Sequence, residues 1–166
     1  MRFADSFKLS TPSDREIQVT RDFHAPRQTV FDAFTKPELV RRWLLGPPGW
    51  TMPVCEIDLR VGGAYRYVWR KDSAKDMGMG GIFRQIESPE KIVATEKFDE
   101  SWYPGDALDT TEFAEDGETT RVTITILYVS QEARDTARRS GMEVGMAAGY
   151  NRLEELLAAM PAGGVR

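Results

Sequence analysis

Residues suited to acid–base or nucleophilic chemistry are scarce in this chain, which has one histidine, His24, and one cysteine, Cys55, among 166 residues. A single imidazole and a single thiol cannot assemble a Ser/His/Asp arrangement or a zinc set of the usual spacing. His24 closes a strand pattern beside Ala25-Pro26 and reads as a polar strand-end residue. The glycines of Met77-Gly78-Met79-Gly80-Gly81 lack the Lys-Ser/Thr ending and following helix of a phosphate loop, so they read as a bend or bulge opening a strand. Carboxylate-only metal sites have no supporting cluster, so neither a metal nor a cofactor is expected. Two charged residues on apolar strand faces are left, Arg21 and Glu96. A desolvated Glu96 could act as a general base while Arg21 or a tyrosine stabilises an enolate, or the two could simply pair inside the protein.

The elements that must position these residues follow from periodicity. Ile17, Val19 and Phe23 alternate with polar residues as a first strand, with Arg21 on its apolar face. Pro26 suits a helix start with Val30, Phe31 and Phe34 on its inner side, and Pro37 starts a second short helix ending near Trp43. Gly46-Pro47-Pro48-Gly49 ends it. Thr51 to Val129 reads as strands joined by short turns, without a helix long enough to cross between parallel strands, hence an antiparallel meander. Asp116-Gly117 predicts a tight hairpin with Phe113 opposite Thr120, Thr111 opposite Val122 and Glu112 paired with Arg121 outside. Ser88-Pro89-Glu90-Lys91 predicts a turn setting Phe83 opposite Glu96 and Arg84 opposite Thr95, so that Glu96 faces inward with Phe83.

Two aromatic or gapped surfaces face each other in this scheme. Gly62-Gly63 opens a strand that puts Tyr65, Tyr67 and Trp69 on one face, which suits either core packing or the lining of a cavity. Near the end, Ser140 and Glu143 predict a capping box that starts a long apolar helix at Gly141. Its inward stripe carries Met142, Met146 and Leu153 with Gly145 and Gly149 between them. Interior glycine costs a helix about 1 kcal/mol relative to alanine. Either another backbone approaches closely at these positions, or they leave room for a ligand.

Length and charge bound the rest. One domain over residues 15–160 is expected, with a polar lead-in over 1–14 and a tail over 161–166. The net charge of −4 gives no basic footprint for nucleic acid or an anionic membrane. The lone cysteine excludes an internal disulfide, and without an apolar signal core or a long apolar run the expected compartment is the cytoplasm. A sheet edge could support a homodimer, with no symmetry selected.

The stretch Phe23-His24-Ala25-Pro26-Arg27-Gln28-Thr29-Val30-Phe31-Asp32-Ala33-Phe34-Thr35-Lys36-Pro37-Glu38-Leu39 is followed by Arg42-Trp43, by Gly46-Pro47 and by Asp58-Leu59-Arg60-Val61-Gly62-Gly63-Ala64-Tyr65. With Ser88-Pro89-Glu90-Lys91-Ile92-Val93, Gly117 to Thr123 and Gly141 to Met146, it resembles the START-like SRPBCC superfamily over residues 15–160. Within that superfamily it is most similar to the branch named for the activator of the heat-shock protein 90 ATPase. The resemblance implies an α+β helix-grip fold: a curved antiparallel sheet wrapped around a long C-terminal helix, with two short helices after the first strand. It further implies a deep, mainly apolar cavity between sheet and helix, used across the superfamily for lipids, polyketides, hormones and drug-like molecules. A small hydrophobic or aromatic ligand would then meet Tyr65, Tyr67, Trp69, Phe83, Phe98, Trp43, Met142, Met146 and Tyr150, with room left by Gly145 and Gly149 and polar groups oriented by Arg21 and Glu96. The alternatives are a cyclase, aromatase or hydrolase acting on a polyketide-like ligand, and a co-chaperone using loop tryptophans such as Trp50 and Trp102. The sequence departs from the branch's Trp-Trp-Gly-Pro in having Trp43-Leu44-Leu45-Gly46-Pro47. It also has a lead of 14 residues where the branch's eukaryotic co-chaperones carry a separate amino-terminal domain.

Overall fold

Alternation of apolar and polar residues builds the sheet of the computed structural model, which describes residues 3–101 and 103–160. A 3-10 turn at Phe3–Ser6 leads into β1 (Lys8–Ser10) and β2 (Glu16–Phe23), then two short helices, α1 (Arg27–Thr35) and α2 (Pro37–Trp43). Strands β3 (Thr51–Ile57), β4 (Ala64–Arg70), β5 (Met77–Glu87), β6 (Lys91–Phe98), β7 (Ala107–Asp116) and β8 (Thr119–Leu127) follow in succession. Helices α3 (Gln131–Arg138) and α4 (Met142–Ala159) come after β8. Among the described residues the sheet has eight strands in the order β1-β2-β8-β7-β6-β5-β4-β3, every pair antiparallel. It curves around α4, giving the helix-grip α+β fold. The lead-in thus supplies an edge strand, with Leu9 opposite Val19.

Local chemistry explains the helix ends. Pro37 occupies the first turn of α2, where its missing N–H costs nothing, and Arg41 and Arg42 lie in the last turn, where cations favour the helix dipole. The Ser130 hydroxyl accepts from the Ala133 N–H at 3.0 Å and caps α3. Arg134, buried on α3, donates to the Ser13 carbonyl at 2.7 Å and ties that helix to the β1–β2 connection. The predicted capping box is absent. The Ser140 hydroxyl instead donates to the Ala137 carbonyl, and Gly141 turns the chain between α3 and α4 with φ +87°. A side chain there would be strained, which is the reason for glycine.

Both predicted hairpin registers shift. Gly117 and Glu118 form the two-residue β7–β8 loop, with Gly117 at φ +63°, so Phe113 faces Val122 and Glu112 faces Thr123. Left-handed φ at the first central position moves the tight turn one residue along from Asp116-Gly117. Glu112 is exposed, but Arg121 forms its ion pair with Asp22 at 2.7 Å. Across the other turn Phe83 faces Ala94, because Glu87 pairs with Lys91 across the turn, one residue off the expected register, and a bulge between Phe83 and Gln85 adds a second shift. The bulge therefore follows the Met77–Gly81 glycines, which lie within β5 itself.

One half of the interior is tightly filled. Ile17, Val19 and Phe23 of β2, Val30 of α1, Val122 of β8 and Leu153 of α4 are completely enclosed. Tyr150 meets Phe23 edge-on at 5.4 Å between ring centres, and Phe34 packs on Trp43 at 4.8 Å. Among the described residues, no helix is long and apolar enough to cross a membrane.

Candidate functional site

The other half of the interior is hollow. Between the concave face of β4–β8 and the N-terminal half of α4 lies a cavity of about 500 Å³. Period-two alternation sends Tyr65, Tyr67 and Trp69 of β4 into it, with Tyr65 and Tyr67 buried and their rings 5.1 Å apart. Phe83 from β5, Glu96 and Phe98 from β6, and Met142 and Met146 from α4 line it as well. Trp43, Gly145, Gly149 and Tyr150 border its α2 side. The segment after α2 closes part of the wall. Trp69 Nε1 donates to the Leu44 carbonyl at 2.7 Å, and Arg152 donates to the Gly46 carbonyl at 2.6 Å, so sheet and helix both hold it. Trp50 also lines the cavity, while Trp102 lies outside the described residues.

Gly81 explains how the β4 wall fits. It sits opposite Tyr65, and a Cβ on it would lie 1.8 Å from the Thr95 carbonyl oxygen. Only glycine lets the Tyr65 ring cross β5, where its hydroxyl donates to that carbonyl at 2.6 Å. The Ile82 N–H turns to the Thr95 hydroxyl instead, at 2.8 Å.

Two sequence expectations need correction. Arg21 is buried on the inner face of β2, yet it does not line the cavity and does not pair with Glu96. Its guanidinium donates to Asn151 Oδ1 at 3.1 Å, to Glu154 Oε1 at 3.3 Å and to the Asp22 carbonyl at 3.0 Å, and stacks over Phe23. β2 lies beyond β8 in the sheet, so its inner face meets the C-terminal half of α4. The helix glycines border the cavity and admit neighbouring chain as well. A Cβ at Gly149 would stand 3.2 Å from the Trp43 carbonyl oxygen, so α2 approaches closely there. At Gly145 the nearest atoms would be Pro47 Cδ at 3.7 Å and Gly46 Cα at 3.8 Å.

The polar part of the cavity was only half foreseen. Glu96 faces Ala107 and Asp109 faces Ala94 across β6 and β7, so the two carboxyls are diagonal neighbours on the inner face and hydrogen-bond to each other. Burial pushes both pKa values upward, Asp109 well above the usual carboxylate range because Glu96 also opposes its ionisation. Among the described residues, no donor meets the buried Asp109 Oδ1. Tyr103 and Tyr128, whose rings meet edge-on at 5.2 Å, join Tyr65 and Tyr67 around the pair. Burial raises the pKa of all four phenols, which stay neutral. Counting back by twos from inward Phe113 reaches Thr111 and Asp109, so the strand pattern held the signal for Asp109. Tyr103 lies in the β6–β7 loop, where no periodicity could reveal it.

The sequence profile of the family described as Activator of Hsp90 ATPase homolog 1-like protein matches residues 24–158. A crystal structure of a Rhodobacter sphaeroides protein is similar with a TM-score of 0.87 and 28% identity, covering 93% of this chain and 99% of that one. A Chromobacterium violaceum protein is similar with a TM-score of 0.75 and 26% identity, over 87% of this chain and 99% of that one. An HSP90 activator from Plasmodium falciparum shares the fold at a TM-score of 0.61 and 20% identity, over 87% of this chain and 96% of that one. No curated protein matches the chain. The chain belongs to the Activator of Hsp90 ATPase homolog 1-like family.

Proposed function

We propose that this protein binds a small, largely hydrophobic or aromatic molecule in the cavity between β4–β8 and α4. The observation that carries this reading is a mainly apolar hollow of about 500 Å³ with a polar cluster, Glu96 and Asp109 ringed by tyrosines, in its wall. A volume of that size falls within the range of small-molecule sites, which combine an apolar enclosure with a few placed polar groups. Apolar surface removed from water supplies roughly 25 cal/mol per Å², and the polar cluster orients the ligand. Arg21 lies outside the lining and is held by Asn151 and Glu154, which speaks against an enolate-stabilising role for it in the enzyme alternative.

Titration with the neutral fluorophore N-phenyl-1-naphthylamine tests the proposal. Saturable one-to-one binding to the wild type, weakened at least about tenfold by Met146→Trp, supports it. Absence of saturable binding, or equal binding to a folded Met146→Trp, counts against it.

A second reading rests on the family's description and on the fold shared with the Plasmodium falciparum HSP90 activator. Under it the chain stimulates an HSP90 ATPase. An ATPase assay with and without the chain separates the two, since stimulation supports the second reading and its absence removes it.

A further inference from the structure

The ionisable groups of the cavity are all of one kind. Its described lining contains Glu96 and Asp109 and no lysine, arginine or histidine. The groups facing the carboxyl pair are the phenols of Tyr65 and Tyr67 from β4, Tyr103 from the β6–β7 loop and Tyr128 after β8, with Asp106 beyond Tyr103. None can supply positive charge. Among the described residues, no donor meets the buried Asp109 Oδ1, although buried carboxyl oxygens ordinarily have one. Near the pair stand the rings of Tyr65 and Tyr67, 5.1 Å apart, and aromatic faces attract cations through their quadrupoles.

Resting on the ligand-binding reading above, we propose that the cavity selects its ligand by charge and takes an amine whose ammonium group meets the Glu96–Asp109 pair while its apolar body lies among Tyr65, Tyr67, Trp69 and Met146. An ammonium supplies both the missing donor and the missing countercharge, so one carboxyl can ionise inside the apolar wall. A carboxylate of the same shape would place a third acidic group beside two enclosed ones, with phenols and hydroxyls but no cation among the described lining residues to meet it. The cavity therefore discriminates by repulsion as well as attraction.

Calorimetric titration at pH 7.5 with 2-(1-naphthyl)ethylamine, 2-(1-naphthyl)ethanol and 1-naphthylacetate separates charge from shape. The wild type should bind the amine at least about tenfold more tightly than the acid, with the alcohol between them. In the double variant Glu96→Gln/Asp109→Asn the preference should fall to within about threefold. Should the amide pair fail to fold, Glu96→Leu/Asp109→Leu carries the same comparison, because apolar residues often replace buried ionisable pairs without loss of stability. Binding of the alcohol without preference for amine over acid overturns the charge proposal and leaves the ligand-binding reading standing. An amine preference that survives removal of both carboxyls also overturns it. Failure of all three probes to bind removes the ligand-binding reading and this inference together.

Discussion

Two buried charged sites lie on inner strand faces of the same sheet, and they are satisfied in opposite ways. Arg21 in the filled half has Asn151, Glu154, the Asp22 carbonyl and the Phe23 ring as partners, with only Nε unpaired. Glu96 and Asp109 in the hollow half have each other and no cation among the described lining residues. Alternation alone puts both sets inside, so facing inward does not distinguish a structural charge from a functional candidate. What surrounds the charge does. The end of α4 that meets β2 supplies Asn151 and Glu154, whereas the end that meets β4–β7 supplies methionines and no charge.

That contrast can be broken most forcefully at Arg21. Arg21→Ala removes a buried cation and its packing, and should destabilise the fold by about 3 kcal/mol in denaturant melts. Loss of under 1 kcal/mol would mean that Arg21 is not an integral part of the filled half. Gly149→Leu should cost about 2 kcal/mol, because a side chain there meets the Trp43 carbonyl oxygen before it reaches open space. A variant that keeps wild-type stability would mean that the new side chain enters the cavity without displacing α2.

The carboxyl pair gives a smaller effect, with a definite sign. A carboxyl with a raised folded-state pKa binds its proton more tightly when folded, so its contribution is complete below the unfolded pKa of about 4 and is lost as pH rises through the folded pKa. Asp109→Asn should therefore gain stability relative to the wild type as pH rises from 4 to 8. Parallel melting curves at pH 4, 6 and 8 would contradict the burial of the pair. The least effect is expected at Gly145, where a Cβ would make only ordinary contacts with Gly46 and Pro47. Gly145→Ala should raise stability by about 0.5–1 kcal/mol through helix propensity, read from the melting temperature.

Period-two and helical patterns made most of the architecture legible in the sequence: β2 with Arg21 inward, both short helices, the β3–β8 meander and the aromatic face of β4. Turn chemistry was less informative. Left-handed φ at Gly117 and the bulge at Phe83–Gln85 both change which residues pair, and neither follows from turn residues alone. Alternation puts Arg21 on the inner face but cannot name its neighbours, because it says nothing about the order of strands across the sheet. Asp109 was readable from the inward set of Phe113, while its partnership with Glu96 needed the β6–β7 register. For Gly145 and Gly149, the helical pattern located the small positions and could not say whether backbone or empty space faces them.

The difference between the filled and hollow halves is tested most directly by following backbone amide shifts while 2-(1-naphthyl)ethanol is titrated into the labelled protein. Saturable shifts should cluster at Gly81, Glu96, Asp109 and Met146, with those of Ile17, Val19 and Leu157 unmoved. Shifts concentrated at the exposed Leu59, Val61 and Ile82, or no saturable shifts at all, would contradict a ligand site inside the grip of the sheet.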